Sequence, residues 1–270
     1  LARRGVSIGV VAKIEKPQAL GELEAILLAA DAVMIARGDL GVELPPEQVP
    51  FIQKQIIRQA AQLKVPVITA TQMLESMIEH PRPTRAEASD VANAIFDGTD
   101  AVMLSGETAA GRYPVEAAAM MARIVREAET HLAFAPQHWR REEETRPFSD
   151  AMAQAACRVA AQVKAVAIIA FTQSGFTARL ISKHRPPVPV IAFTPHLSIC
   201  RRLNLYWGVL PRHSPFIADT EQMIARADAA LLQEGLTQPG DPLVFLAGSP
   251  SSQQGTTNLM KLHRAGEGLT

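Results

Sequence analysis

The chain has 270 residues, and its 27 Lys and Arg are balanced by 27 Asp and Glu, so the formal net charge is zero. This balance, without a block of like charges, argues against nucleic acid or an anionic membrane surface as a partner. With 47% hydrophobic residues the composition is that of a globular protein, and the length allows one large domain or two smaller ones.

The positions of the cysteines and the hydropathy of the chain indicate which kinds of site and which cellular location to expect. Cys157 and Cys200 are far apart and form no CxxC or Cys/His cluster, which argues against a disulfide scaffold and a zinc site. No apolar run approaches the roughly 18 residues that cross a bilayer, and the first residues lack the layout of a signal peptide. We therefore expect a cytoplasmic protein without membrane contact.

Short runs rich in Val, Ile and Ala alternate with longer segments of helical periodicity along the first half of the chain. This alternation predicts βα units on a parallel sheet. Pro17 and Pro50 suit helix starts. The predicted strands are 8–14, 32–37, 67–71 and 101–105, and the predicted helices are 19–29, 50–63 and 85–96.

A change of composition separates the two halves of the chain. Pro136, Trp139 and a mixed-charge run interrupt the alternation, which is typical of a solvated connector. We therefore predict a first domain at 1–130, a linker at 131–148 and a smaller α/β domain at 149–270. In the second domain the predicted strands are 166–172, 190–194 and 243–247, and the predicted helices are 149–163, 176–183 and 220–234.

The segment VVAKIEKP places Lys13 and Glu15 in an apolar strand. Residues two apart leave the same face of a strand, so an ammonium and a carboxylate project together. A sheet covered on both faces must hold these charges in a polar cavity or at a barrel mouth, because isolated buried charges are costly. An edge strand with a surface Lys–Glu pair fits this segment equally well.

The segment MIARGDLGVELP puts Arg37, Gly38 and Asp39 at the end of the next strand. Active sites of parallel α/β sheets gather at these carboxyl ends, and glycines let backbone N–H groups approach an anion. Asp39 together with Glu15 makes an all-oxygen pair suited to Mg²⁺ or Mn²⁺. Taken alone, GDLG is also compatible with a simple turn.

Hydroxyl and carboxylate groups follow the next two predicted strands, and we expect them to face the same mouth. By spacing alone, each hydroxyl is also explained as a helix cap or a turn bond. These groups belong to Thr69, Thr71, Ser105, Glu107 and Thr108.

Four successive strands thus carry polar residues at their carboxyl ends, in segments that resemble the signature regions of the pyruvate kinase family. The matching segments are VVAKIEKP, VMIARGDLGVELP, PVITATQMLESMIEHPRPTRAEASDVANA and DGTDAVMLSGETAAGRYPVEA, in the family's order. The second domain is similar to the family's C-terminal domain through TQSGFTARLISKHRPPVPVIAFTP, LYWGV and GSPSSQQGTTN. The resemblance implies an α/β fold, the second half of a (β/α)₈ barrel followed by a smaller α/β domain.

The resemblance also implies an activity and a site. Members of this family transfer the phosphoryl group of phosphoenolpyruvate to ADP, which gives pyruvate and ATP. Lys13 matches the lysine that neutralises the moving phosphoryl group, and Glu15 and Asp39 match the ligands of Mg²⁺ or Mn²⁺. The backbone N–H groups of Gly38 and Asp39 match those that hold the substrate carboxylate. Thr71 matches a threonine near the carbon that is protonated.

A loop of the second domain resembles the loop that holds an effector phosphate in regulated members. Hydroxyls and N–H groups at a helix start suit a phosphate. However, Gln173 and Phe176 stand where some regulated members have cationic side chains, so phosphate binding here is a hypothesis. The matching residues are Thr172, Ser174, Gly175 and Thr177.

The resemblance covers only part of a family member. A (β/α)₈ barrel alone needs about 250 residues, and the predicted first domain is far shorter. We therefore expect a partial chain, without the first barrel strands, the potassium ligands and the lid domain of the family. Open sheet edges and an uncovered core face favour pairing with another copy, and the family implies a homotetramer.

Three interpretations stay open. The leading one is a pyruvate kinase of which this chain is the C-terminal portion. The second is a catalytically silent regulatory or interaction module that retains the metal and carboxylate ligands. The third is another metal-dependent barrel enzyme that acts on pyruvate or its enolate, such as an aldolase or lyase, and the continuous match through 75–90 argues against it.

Overall fold

The computed structural model describes residues 8–132, 147–248 and 257–268. The chain divides into a first unit, Leu1–Arg141, and a second unit, Glu142–Thr270. Residues 133–146 of the predicted linker lie outside the described ranges, so the bounds of the linker stay a prediction. Within those ranges, no helix is long and apolar enough to cross a bilayer.

The first unit contains the strands β1 (Val11–Ile14), β2 (Ala32–Ala36), β3 (Val67–Ala70) and β4 (Ala101–Met103). They are parallel and lie side by side in chain order. The register pairs Ile14 with Ile35, Ile35 with Thr69 and Ala70 with Met103. Because all four strands run in one direction, their carboxyl ends meet at one edge of the sheet.

Two of the helices between these strands begin where proline predicts them. Pro17 begins the first helix, and Pro50 lies in the first turn of the fourth, where a missing N–H breaks no helical bond. The helices are α1 (Pro17–Gly21), α2 (Leu23–Ala29), α3 (Arg37–Glu43), α4 (Val49–Gln62), α5 (Arg85–Asp97), α6 (Gly106–Ala109) and α7 (Pro114–Thr130).

Several details of the prediction for the first unit are wrong. The single helix expected at 19–29 is broken at Glu22, whose backbone leaves the helical region directly after Gly21. Arg37 begins α3 instead of ending β2, and β4 ends at Met103 instead of Ser105. The helix α7 is absent from the prediction, although its buried residues recur at helical spacing.

The sheet of the first unit has one face covered by helices. Val33, Ile35 and Val67 alternate along their strands and pack against buried aliphatic residues of α2 and α4 such as Leu27 and Ile56. Each such side chain stabilises the fold by about 1.5 to 3 kcal/mol relative to exposure. The opposite face carries the intervening residues, of which Ala36 and Ala70 are buried, whereas Lys13, Met34, Ile68 and Met103 are half-buried or exposed.

The second unit contains β5 (Ala167–Phe171), β6 (Val190–Thr194), β7 (Val209–His213), β8 (Pro242–Ala247) and β9 (Leu259–Arg264). The sheet order is β7-β6-β5-β8-β9, and only β9 is antiparallel to its neighbour. β5, the first strand of the second unit, is therefore the central strand of this sheet. β6 and β7 lie on one side of it, and β8 and β9 lie on the other. In such sheets, ligands bind at the carboxyl ends of the strands where the order reverses.

Helices cover both faces of this second sheet. One core joins α8 and α9 to the strand residues Ile168 and Val244, and the other joins α11 to Ile169 and Phe245. Neither edge strand was expected from the pattern, because the sequences VLPRH and LMKLHR mix polar and apolar residues, as edge strands do. The helices are α8 (Phe148–Gln162), α9 (Phe176–Lys183), α10 (Leu197–Leu203) and α11 (Thr220–Gln233).

The segment after β3 is fastened to the start of α5 by Glu87. Its carboxylate accepts hydrogen bonds from the backbone and hydroxyl of both Ser76 and Thr84, and the Thr84 hydroxyl accepts one from the Glu87 N–H, which completes a capping box. Burial raises the pKa of Glu87, but these hydrogen bonds outweigh it and hold the pKa below its ordinary value.

We predict that Thr84→Ala lowers the free energy of unfolding by about 1 kcal/mol, whereas Thr84→Ser retains the cap.

Because the pKa of Glu87 is lower in the folded state, the contribution of Glu87 to stability is complete above pH 4.5 and is lost as the pH falls through the folded-state value. Urea unfolding at pH 7 and pH 3 measures both effects. A Glu87→Gln variant whose deficit is the same at both pH values would contradict this account.

Candidate active site at the carboxyl edge of the first sheet

The carboxyl edge of the first sheet gathers side chains from three consecutive strand ends. Glu15 directly follows β1, Arg37 begins α3 directly after β2, and Thr71 directly follows β3. Lys13, inside β1, projects to the same side as Glu15. The topology of the sheet therefore brings the predicted site residues of the first domain to one place.

Lys13 is the centre of this cluster. Its Nζ lies 2.7 Å from Asp39 Oδ2 and also forms an ion pair with Glu15. The side chains of Lys13, Glu15 and Asp39 are 49%, 36% and 52% exposed, so the group is open to a ligand from solvent. A second ion pair, between Lys16 and Glu43, ties the same two βα connections together.

The charges of the cluster shift the titration of its members. Hydrogen bonds to Asp39 and then to Glu15 hold the pKa of Lys13 above its ordinary value. The hydrogen bond from Lys13, reinforced by its charge, holds the pKa of Asp39 below the ordinary range. At neutral pH the cluster therefore contains an ammonium and an ionised carboxylate in direct contact.

The structure agrees in part with the alternative interpretation, a surface Lys–Glu pair on an edge strand. β1 is the edge of the sheet in the described chain, and Lys13 is half-exposed. However, Asp39 reaches Lys13 from the following βα connection, 26 residues further along the chain. The group is therefore a junction of two connections instead of a pair within one strand.

Thr71 adjoins this junction through Gly38. The Gly38 N–H donates a hydrogen bond of 2.7 Å to Thr71 Oγ1, and the Thr71 hydroxyl donates to the Ala70 carbonyl at 2.6 Å. A Cβ atom at Gly38 would lie 3.4 Å from Thr71 Oγ1, at the border of an ordinary van der Waals contact. The interpretation of GDLG as a simple turn is wrong, because Arg37–Glu43 forms a helix.

Two further expectations about this edge need correction. Thr69 does not face the mouth, because its buried hydroxyl donates to Thr99 Oγ1 at 2.9 Å on the helix-covered side. Glu107 is buried and accepts hydrogen bonds from the backbone N–H groups of Leu74 and Ser105. Glu107 therefore joins the ends of β3 and β4 and is not open to a ligand.

Arg37 is the residue whose role sequence reasoning missed. Its guanidinium is 10% exposed and contacts Asp90 on α5 and Gln53 on α4. The only signal in the sequence is Gln53, a buried polar residue on a helix whose other buried residues are apolar. The spacing of Arg37, Gln53 and Asp90 in the sequence does not predict that they are in contact.

The candidate effector loop of the second unit follows β5. Thr172 Oγ1 accepts a hydrogen bond from the Gly175 N–H at 2.9 Å, and the hydroxyls of Thr177 and Thr257 are 2.8 Å apart. Gly175 has a φ of 86°, a backbone conformation that favours glycine. Ser174 is exposed, so of the three hydroxyl side chains predicted to bind phosphate, two are engaged inside the fold.

A cleft with an empty volume of about 640 Å³ lies beside this loop. It is bounded by the carboxyl ends of β5, β6 and β8, which matches the place where this kind of sheet binds ligands. The phenylalanines 171, 176, 193 and 216 line it, and no charged side chain is among the described lining residues.

The side chains available as ligands show whether the metal ion expected at Glu15 and Asp39 could bind there. Among the described residues, no group of three or more His, Cys, Asp or Glu side chains could hold a metal ion. Mg²⁺ is commonly held by one or two carboxylates together with substrate oxygens and waters. Two carboxylates that already share one cation, the Lys13 ammonium, fit that pattern.

Comparison with known proteins shows the family of the chain. Residues 1–118 match the family model "Pyruvate kinase, barrel domain", and residues 150–263 match "Pyruvate kinase, alpha/beta domain". A pyruvate kinase of Clostridium acetobutylicum is 47% identical over 96% of this chain, and one of Geobacillus stearothermophilus is 48% identical over 97%. The crystal structure of a pyruvate kinase from Cryptosporidium parvum superimposes with a TM-score of 0.86, at 39% identity over 97% of the chain.

The chain is thus an α/β protein made of part of a barrel and a separate α/β domain, and the predicted fold class is confirmed. It belongs to the pyruvate kinase family. It covers 55% and 45% of the two bacterial relatives and 53% of the Cryptosporidium chain. The chain therefore spans about half the length of these relatives.

Proposed function

We propose that this chain takes part in phosphoryl transfer from phosphoenolpyruvate to ADP, the last step of glycolysis, with pyruvate and ATP as products. The observation that carries the proposal is the Lys13 ammonium shared by the carboxylates of Glu15 and Asp39 at the carboxyl edge of the sheet. Transfer of a phosphoryl group depends on charge stabilisation and positioning, and this cluster offers both. The names of the relatives support the same activity.

In this proposal Lys13 stabilises negative charge on the phosphoryl oxygens. The bond from phosphorus to the enol oxygen of phosphoenolpyruvate breaks while a bond to a terminal phosphate oxygen of ADP forms. A flexible ammonium suits this task because it is a compact charge that can follow the moving group. The raised pKa of Lys13 keeps the side chain cationic at neutral pH.

Glu15 and Asp39 would hold Mg²⁺ or Mn²⁺. When bound, the ion would supply positive charge beside the phosphoryl and enolate oxygens. The lowered pKa of Asp39 keeps its carboxylate ionised and therefore able to act as a ligand. We propose that the ligands of the potassium ion expected for the family lie outside this chain.

Thr71 would give a proton, directly or through a water, to the methylene carbon of enolpyruvate, which becomes the methyl group of pyruvate. Before substrate binds, the hydrogen bonds to Gly38 and Ala70 hold the hydroxyl at the edge of the cluster, which supports this role. The N–H groups of Gly38 and Asp39 would hold the substrate carboxylate. For Gly38 this requires exchange of the Thr71 oxygen for a substrate oxygen.

We extend the proposal to assembly and location. In the described chain β1 is the open edge of the first sheet and Ile8, Val10 and Val11 are exposed there, and an open apolar edge favours association. A homo-oligomer, with a tetramer as the family's analogy, and a cytoplasmic location follow from the proposed glycolytic role.

We predict that Lys13→Met lowers the rate of pyruvate formation from phosphoenolpyruvate and ADP by about a hundredfold or more, because one charge on the transferring group is lost. The measurement is steady-state turnover of the chain with Mg²⁺ and K⁺. Lys164→Met, an exposed lysine of the second unit, is the matched control. Equal turnover of Lys13→Met and the unsubstituted chain would contradict the role of Lys13, and absence of turnover in both would favour the silent-module alternative.

We also propose that the Thr172–Thr177 loop holds an effector phosphate, supported by the pocket beside Ser174 and Gly175 that Arg179 and Arg202 line. Titration with fructose 1,6-bisphosphate, ribose 5-phosphate and AMP is expected to give saturable heat with at least one of them. Gly175→Ala should abolish it, because a Cβ there would lie 3.3 Å from Leu203 in a backbone conformation that alanine disfavours. No saturable heat with any of the three would overturn this proposal.

A further inference from the structure

The turn after β3 has an unusual backbone. Thr71 and Gln72 both have positive φ angles, 69° and 52°, although neither is glycine. Non-glycine residues rarely adopt this conformation, and two in succession persist only where surrounding contacts enforce it. Because Thr71 is a candidate site residue, the contacts that enforce its conformation bear on function.

Arg37 supplies those contacts. Its Nη2 lies 2.8 Å from the Thr71 carbonyl oxygen, 3.2 Å from the Gln72 carbonyl oxygen and 2.8 Å from Met73 Sδ, so its two N–H groups are shared among these acceptors. Successive carbonyls of an extended strand point in opposite directions, so one nitrogen reaches both only when the chain turns between them. The two hydrogen bonds are therefore specific to the left-handed turn and would be lost if β3 continued in extended form.

The guanidinium is itself held in place from two helices. The Asp90 carboxylate on α5 contacts both terminal nitrogens. Nη1 donates a hydrogen bond to Oδ1 at 2.8 Å, and Nη2 forms an ion pair with Oδ2 at 2.7 Å. Gln53 on α4 accepts a further bond from Nη1 at 3.4 Å. A planar guanidinium paired with a carboxylate in this two-point manner has a fixed orientation, which a lysine could not reproduce.

The next residue after Arg37 connects this clamp to the Thr71 side chain. Gly38 is the second residue of α3, so its N–H has no acceptor within the helix and bonds to Thr71 Oγ1 instead. Arg37 thus holds the backbone of Thr71 while Gly38 holds its hydroxyl. Movement of the turn would break the bond to Gly38 as well.

We propose that Arg37 is a positioning residue, which keeps the Thr71–Gln72 turn left-handed and thereby holds Thr71 Oγ1 against the Gly38 N–H. The consequence for proton delivery rests on the role proposed above for Thr71. The positioning itself does not, because it concerns contacts within this chain. A purely structural Arg37–Asp90 ion pair would stabilise the first unit without any effect on the Gly38 N–H.

The test measures hydrogen–deuterium exchange of the Gly38 amide by NMR in the full chain. In Arg37→Ala we expect exchange at Gly38 to accelerate by about tenfold, the change that loss of one hydrogen bond brings. Ethylguanidinium at millimolar concentration should restore slow exchange in this variant alone. Arg58→Ala, an exposed arginine on α4, is the matched control and should leave Gly38 unchanged.

Arg37→Lys keeps the proposal testable if Arg37→Ala does not fold, and it should also accelerate exchange at Gly38. Unchanged exchange at Gly38 in the folded Arg37 variant, even with a lowered unfolding midpoint, would overturn the proposal and leave Arg37 a structural residue. Exchange of the pyruvate methyl protons with D₂O, followed in the same samples, should be slower in the Arg37 variant. Absence of methyl exchange in the unsubstituted chain would count against the proposed function alone, because the Gly38 measurement decides the positioning separately.

Discussion

The site depends on one ammonium that two carboxylates share. Lys13 and Glu15 come from a single strand end, and Asp39 comes from the first turn of the helix after the next strand. Their contact requires two neighbouring parallel strands in the observed register, because only then do both strand ends lie at one edge. The fold of the first unit is therefore what creates the cluster, and the cluster is what gives that edge its chemistry.

Around this ammonium the structure separates two tasks. Groups open to solvent, Lys13 and Asp39, are placed to meet a ligand. Buried groups, Arg37 and Glu107, bond to the backbone at the ends of β3 and β4 and set its path. A turn with two successive positive φ angles at non-glycine residues persists only when surrounding groups bond to it.

Sequence predicted the alternation of strands and helices in both units, because Val- and Ile-rich runs and helical periodicity are local signals. It also brought together Lys13, Glu15 and Asp39, since strand ends in a parallel sheet share an edge. It did not reveal the contact of Arg37 with Asp90, which are 53 residues apart with no pattern that links them. Edge strands such as β9 were missed because their faces are not uniformly apolar.

The most direct test of the central claim is the affinity of the chain for Mn²⁺, measured by electron paramagnetic resonance of the free ion. If Glu15 and Asp39 form one site, the double variant Glu15→Ala, Asp39→Ala should bind Mn²⁺ more weakly by more than about a hundredfold, the upper end of the loss that removal of a ligand's hydrogen-bonding partner causes. Glu24→Ala, which removes an exposed carboxylate on α2, should bind as the unsubstituted chain does. Equal affinity of the double variant and the unsubstituted chain would contradict a shared site.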